Sequence, residues 1–495
     1  MSTSLTTGSP WRVILLFSVP LLIGNVVQQL YQVVDAIVVG RELGVDALAA
    51  VGATGSLLFL LIGFAWGLTS GFAIPTAQAF GAGDAAAVRR SVATGTLLTA
   101  ATSAVLTVGA PLVSRPLLHM LQTPPELLDN ATVFAQVSFL GAAATMFFNY
   151  LAATIRAIGD ARTPLVFLTV ACLLNAGLVV LMVGPLDWGV AGAAIATVVS
   201  QAVSVLLCLA YVRRRVPILH LTRADWRITR ADLTLHLRLG LPMGFQASII
   251  AIGTLAVQVR LNELGADAVA AYTAAARVDG LAVALLQSLG LAVSMFVAQN
   301  FGGGRPDRIR AGVRQASWLA IAGALALGGL LIAFGAPIVR LFVGDTAPQV
   351  VDLAALNLVI NGASYSFLGI LFVLRGALQG LSHTVIPTVT GVIELVMRVG
   401  AAIALGAAFG FAGVAFSNPL AWLGAVAVLV PAYVRAHRRL ARDPISRVDH
   451  VSPETTPIPV VGPTSGSMVV DAIVTRPIPI TPTRARGRLL RPRRR

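Results

Sequence analysis

Long apolar runs almost free of charge recur along this chain, each near or above the roughly 20 residues that carry an α-helix across a bilayer. They lie at about 13–40, 48–80, 91–113, 131–155, 164–184, 189–212, 239–262, 268–300, 315–337, 351–374, 385–407 and 411–434. In hydrocarbon every backbone N–H and C=O must find a partner within the protein, so runs of this length admit helices. Only 12% of the residues are charged, against 56% apolar, and the mean hydropathy is +0.83. A soluble domain carries about twice that charge, so lipid is the expected solvent. The expected fold is an all-α membrane protein with twelve transmembrane helices.

The chain also repeats itself. Glu42-Leu43-Gly44-Val45-Asp46-Ala47-Leu48-Ala49-Ala50 returns as Glu263-Leu264-Gly265-Ala266-Asp267-Ala268-Val269-Ala270-Ala271, a lag of 221 residues. At the same lag Ala77-Gln78-Ala79-Phe80-Gly81-Ala82-Gly83 returns as Ala298-Gln299-Asn300-Phe301-Gly302-Gly303-Gly304, and Pro20 answers to Pro242 at 222. Two copies of six spans each re-enter the membrane in the same sense, which gives a parallel repeat about an axis along the membrane normal. We therefore expect two pseudo-symmetric six-helix bundles, 1–212 and 239–435. A linker at 213–238 joins them, and a disordered basic tail at 436–495 follows.

All 36 basic residues are arginine, and they sort by side. One set of connections holds Arg89, Arg90, Arg156, Arg162, the cluster from Arg213 to Arg238, Arg305, Arg308, Arg310, Arg314, Arg375 and the residues from Arg435 onward. The other holds Arg41, Arg115, Arg260 and Arg340. The positive-inside rule places both termini in the cytoplasm, with the chain in the inner cell membrane. The net charge of +15 follows from this bias and the basic tail, so it gives no reason to expect nucleic acid as a partner. Met1–Pro10 lacks the basic region of a removable signal peptide, so the first helix is expected to stay. Cys172 and Cys208 fall within spans and read as small apolar side chains rather than a disulfide.

Asp35 stands in the first span, where an ionised carboxylate costs at least about 2.5–3.5 kcal/mol and is rarely kept without use. Tyr31 lies one turn before it and Gln28 two, making a polar stripe on one helix face. A group in this position can exchange a proton for a cation, because burial favours its neutral form and a cation its charged one. The second half has Ala256 and Val257 at the matching position, so coupling is expected to be lopsided. Glu394 and Arg398, spaced i, i+4 in the eleventh span, read as a structural ion pair or as a second proton or gating site. Counting eleven residues on from Pro164 and Pro387, Asn175 and Arg398 are pseudo-equivalent and would face a central cleft. Tyr31, Glu394 and Arg398 would line the substrate cavity there.

Arg277 and Asp279 either line a vestibule or belong to a loop. Pro20 and Pro242, near the starts of matched helices, either act as hinges or shape packing. Gly81 to Gly83 and Gly302 to Gly304 read as helix terminators. Neither a phosphate-binding loop nor metal-ligand spacing is present, so the expectation is no enzyme, cofactor or bound metal. His220 and Asp225 match an acyltransferase-like spacing that chance supplies easily.

The run Pro20-Leu21-Leu22-Ile23-Gly24-Asn25, the run Tyr31 to Arg41, the turn from Ala77 to Gly83 and Gly159-Asp160-Ala161-Arg162-Thr163-Pro164 together resemble the multidrug and toxic compound extrusion (MATE) transporters, closest to their DinF-like branch. The resemblance spans about 10–435. It implies alternating access and antiport of protons or sodium against small amphipathic, often cationic, compounds. It assigns cation coupling to Asp35, with Gln28 and Asn175 as partners. The chain departs from the pattern at Val179, where DinF-like relatives commonly carry a second acid, and near Gln246 and Ser248, where sodium-type members carry another. Protons are thus expected over sodium, and a monomer is expected.

With Asp35 alone, exchange of one proton for one monovalent cation moves no net charge. Only the pH difference, about 1.4 kcal/mol per unit, would then drive it. Steeper accumulation needs a second titrating group, for which Glu394 is the sequence candidate. The alternative is a lipid-linked precursor flippase of the same superfamily, kept open by Arg277 and Arg398.

Overall fold

The structure, a computed structural model, describes residues 5–120, 123–343 and 347–442. Helices α1 (Pro10–Glu42), α2 (Gly44–Ala82), α3 (Ala85–Met120), α4 (Pro125–Leu140), α5 (Ala142–Ala157), α6 (Arg162–Val183) and α7 (Gly189–Arg215) form the first half. The second comprises α8 (Arg230–Leu264), α9 (Ala266–Gly302), α10 (Pro306–Val343), α11 (Pro348–Gly380), α12 (Val385–Phe409), α13 (Phe411–Ala415) and α14 (Ser417–Arg442). No strand occurs among the described residues. Eleven segments are long and apolar enough to cross a membrane, and α4 with α5 makes a twelfth that is broken by a 47° bend. The bend falls at Gly141, against which Val198 of α7 packs so closely that a Cβ there has no room.

Several helices outrun the apolar windows. The 39 residues of α2 span about 58 Å at 1.5 Å per residue, well beyond the ~30 Å of hydrocarbon. Polar ends therefore continue as helix past the core. This corrects the linker at both edges. Helix α7 runs on to Arg215, while α8 starts at Arg230, fixed by a capping box in which Thr229 and Asp232 bond each other's backbone. Only 216–229 remains between them, and it holds two short 3-10 turns, Pro217–Leu219 and Arg223–Trp226. Helix α14 likewise absorbs residues 436–442 of the expected tail, the rest of which lies outside the described residues. Pro20 and Pro242 lie ten and twelve residues inside their helices rather than near the starts.

The halves pack along α2 against α8 and along α1 and α2 against α9. Near the crossing of α2 with α8 a Cβ on Gly71 would fall 2.6 Å from the Gly240 Cα, the close backbone approach that small residues give membrane helices. Toward the arginine-rich end, Gly81 faces the Gln299 carbonyl and Gly302 faces the Gln78 carbonyl with no space for a side chain. Of the glycines expected to end helices, Gly83 and Gly304 turn the chain with φ of 76° and 63°, whereas Gly81 and Gly302 serve this crossing.

Two pseudo-equivalent glutamines seal the arginine-rich end. Gln78 Nε2 donates to the Gly380 carbonyl at 3.0 Å and to Ser382 Oγ at 2.8 Å. Gln299 Nε2 donates to the Ala157 carbonyl at 2.7 Å. Each half thus grips the helix end of the other. The segment before α1 adds a strap: Leu5 N–H donates to Gln299 Oε1, Asn300 and Arg308 donate to the Leu5 carbonyl, and Arg305 donates to that of Thr6. Leu5 itself is buried in the largest apolar cluster. Farther along α2, toward the arginine-poor end, an added Cβ on Gly55 or Gly52 would meet nothing within 4 Å among the described residues.

Candidate functional site

Three helices bring the first-half cluster together. Asp35 and Tyr31 come from α1, Asn175 from α6 and Thr197 from α7. Asn175 Nδ2 donates to Thr197 Oγ1 at 3.4 Å, and Thr197 Oγ1 lies 3.5 Å from Asp35 Oδ2. Asp35 Oδ1, Asn175 Oδ1 and the Tyr31 hydroxyl are buried and bond nothing among the described residues. A carboxylate enclosed with a phenol, a carboxamide and a hydroxyl, and no basic side chain bonded to it, is a place for a proton or a small cation. Gln28 does not join, being exposed on α1. Helical spacing puts it on the Asp35 face, but two turns is about 10 Å along the axis, too far for contact. Val179, where a second acid was sought, packs with Val39, Val183 and Val190 in an apolar cluster.

The second half is more polar inside than the sequence suggests. Glu394 is ion-paired with Arg375 of α11, and its other oxygen lies 4.0 Å from Arg398 Nη2. All three side chains are less than a tenth exposed. Arg375, which the sequence places among the basic connections, sits instead within α11, buried. Asp279 is buried in α9 and accepts hydrogen bonds from Asn361 and Tyr365 of α11. Arg277, on the same helix, is exposed, and neither residue belongs to a loop. Gln246 is tied into α12 and α11 through the Pro387 carbonyl at 3.0 Å and Gln379 at 3.2 Å.

Sequence reasoning missed Thr197, Asn361 and Tyr365. The last two do carry a signal, since Asn357, Asn361 and Tyr365 recur every fourth residue of an apolar span. His220 and Asp225 do not form a pair: His220 bonds the Val212 carbonyl, and Asp225 caps a 3-10 turn and faces Arg89 at 3.4 Å. Burial acts to raise the Asp225 carboxyl, but bonds from Thr222 and the Arg89 guanidinium hold it below the usual carboxylate range. No group of three His, Cys, Asp or Glu side chains converges among the described residues. A cavity of about 290 Å³ lined by Leu264, Asp267, Gln349 and Phe411 opens at the arginine-poor end, and neither polar cluster contributes to its lining.

The MatE family model matches residues 20–181 and 242–404, one copy in each half. A probable multidrug resistance protein, YoeA of Bacillus subtilis, is 33% identical over 398 residues, covering 78% of this chain and 85% of its own. The FAD transporter of Shewanella oneidensis is 26% identical and covers 80% of this chain and 88% of its own. Among solved structures, a MATE crystal structure in complex with MaL6 superposes with a TM-score of 0.84 at 23% identity, over 89% of this chain and 99% of the other. An outward-facing MATE transporter superposes at 0.83, also at 23% identity. The duplicated helical bundle, the intramembrane carboxylates and these matches agree: the chain belongs to the MatE family and is a membrane transporter, not an enzyme.

Proposed function

We propose that the protein is a secondary active exporter that exchanges a cation, a proton in preference to sodium, for small amphipathic compounds by alternating access. The observation that carries this reading is the Asp35 carboxylate, enclosed between α1, α6 and α7 with one oxygen unbonded among the described residues. Tyr31 and Asn175 complete its shell. With both termini cytoplasmic, the sealed arginine-rich end is the inner gate, and Asp35 lies beyond the gate on the outward side. A proton entering from outside would discharge Asp35, favour inward opening, and be given up on the inner side in exchange for cargo.

Glu394 is ion-paired with Arg375, so its carboxylate already has a cation of the protein as partner and is a poor second coupling group. Asp279, whose bonded neighbours are the neutral Asn361 and Tyr365, takes that place. One working carboxylate makes exchange of a monovalent cation electroneutral, whereas two make it electrogenic. Pro20 and Pro242 are the candidate hinges. The chain is proposed to act as a monomer in the inner membrane.

Ethidium efflux from cells, with the proton and sodium gradients collapsed separately, tests the reading. Asp35→Asn should lower efflux toward that of cells lacking the transporter, since the coupling carboxylate of the first half goes, and collapse of the proton gradient should do the same to the unmodified protein. Undiminished efflux by Asp35→Asn would refute it.

A further inference from the structure

The buried cluster in the second half is out of balance. Two guanidiniums, Arg375 and Arg398, share the single carboxylate of Glu394, a net charge of +1 when all three are ionised. The sharing is unequal. Arg375 is hydrogen-bonded to Glu394 and lies 3.4 Å from Thr390 Oγ1. Arg398 reaches Glu394 only at 4.0 Å, beyond hydrogen-bond range, and its side chain is 9% exposed. Its Nε is buried without a partner among the described residues. Asp279 is no substitute counter-ion, since Asn361 and Tyr365 hold it.

The surroundings of Arg398 leave it few acceptors. On α8 the guanidinium faces Gly253, where an added Cβ would stand 3.0 Å from Nη1. On α9 the phenol of Tyr272 is within electrostatic reach of both Arg398 and Asp279, and it is bonded by Asn418 of α14. A guanidinium presents five donors in a planar fork suited to two oxygens of one anion. With its stem buried, its Nε unpartnered and no hydrogen bond to either Nη among the described residues, such a group is costly to hold unless an acceptor arrives.

We infer that Arg398, supported by Arg375 and Glu394, is a recognition site for an anionic group, a carboxylate or phosphate, on the transported molecule. This rests on the export reading and narrows its substrate class. Cargo is then amphipathic and zwitterionic or anionic, not cationic alone. Helix α8, which sets Gly253 against the fork, also packs against α2 of the other half.

Rhodamine 110 and its methyl ester, rhodamine 123, differ in one free carboxylate and test this as a matched pair. Equilibrium binding to the purified full chain in lipid nanodiscs is read by fluorescence anisotropy. Rhodamine 110 should bind about tenfold more tightly, the size of one hydrogen bond to a charged group, and Arg398→Gln should erase the difference. Glu394→Gln should strengthen rhodamine 110 binding, because Arg375 is released. Gly253→Ala, which leaves every charge in place, should weaken rhodamine 110 alone by crowding the fork.

A structural role for the ion cluster would change both dyes together, so an unaltered ratio in Arg398→Gln and Gly253→Ala overturns the assignment. Equal affinities in the unmodified protein overturn it while leaving export intact, and failure to bind either dye overturns both. Repeating the titration in discs of anionic phospholipid separates two sources of the anion. A persistent preference assigns the fork to dissolved cargo, and its loss there assigns the fork to the headgroup phosphate.

Discussion

Thr197 is the least conspicuous member of the Asp35 cluster and the one that joins its parts. Its hydroxyl lies 3.2 Å from the Ala193 carbonyl, one turn back, and 3.5 Å from Asp35 Oδ2. Thr197→Val keeps the shape and removes the hydroxyl, so Asn175 loses its link to the carboxylate. We expect a several-fold loss of proton-driven efflux with little change in thermal stability, the loss being about one hydrogen bond, and Thr197→Ser should restore it. Proteoliposome flux and unfolding temperature, measured on the same preparations, check this. Asp35 was legible because a lone charge in an apolar run has no cheap structural explanation. Thr197 was not, since a threonine in a membrane helix ordinarily bonds its own i−4 carbonyl and vanishes into the background. Arg375 misled for a related reason. Sorting arginines by side presumes that they stand at helix ends, and only the fold reveals the glutamate that lets one sit inside.

At the level of the helix, Pro242 explains contacts on a neighbour. Lacking an N–H, it leaves the Arg238 carbonyl without its normal helical partner, and Thr384 at the head of α12 donates to that carbonyl at 2.9 Å. Thr388, a turn on, donates to the Pro242 carbonyl at 3.0 Å. The proline-bearing turn is thus stapled to α12. Thr384→Val should cost about 1–2 kcal/mol in the proline-bearing chain, the penalty of an unmet carbonyl, and markedly less in a Pro242→Ala background, where the helix bond returns. Paired unfolding measurements of the four combinations give the coupling directly. Element boundaries were the weak part of the sequence reading. Hydropathy falls where a helix leaves hydrocarbon, but hydrogen bonding continues, so α3, α10 and α11 all extend beyond their apolar windows. The break in the fourth span was invisible for another reason: a glycine marks it, but the Val198 side chain that requires that glycine comes from α7.

Over the whole molecule, the two gripping glutamines and the strap at Leu5 lie at one end, so opening that end must break them together. Gln78→Ala and Gln299→Ala should each shift the population toward a state open at the arginine-rich end, by about 1 kcal/mol per lost hydrogen bond, and the double variant by about the sum. Thiol labelling of a cysteine placed at Gly303, read as a rate in membranes, should rise in that order; equal rates would show that the grips contribute nothing to closure. The repeat at lag 221 made this pairing findable, because Gln78 and Gln299 occupy matching places in the two copies. What it could not supply was the partner, since the Gly380 and Ala157 carbonyls are backbone groups that any residue would provide.

That reciprocity bears on descent. Since Gln78 reaches across to Gly380 as Gln299 reaches to Ala157, the closure is self-complementary, the kind of contact a two-fold dimer makes. An unfused ancestor of six spans, meeting an identical sister, could have shut its floor before any duplication joined them. The asymmetric charges, Asp35 in one copy and the arginine fork in the other, would then be later acquisitions, possible only once the sisters were free to diverge.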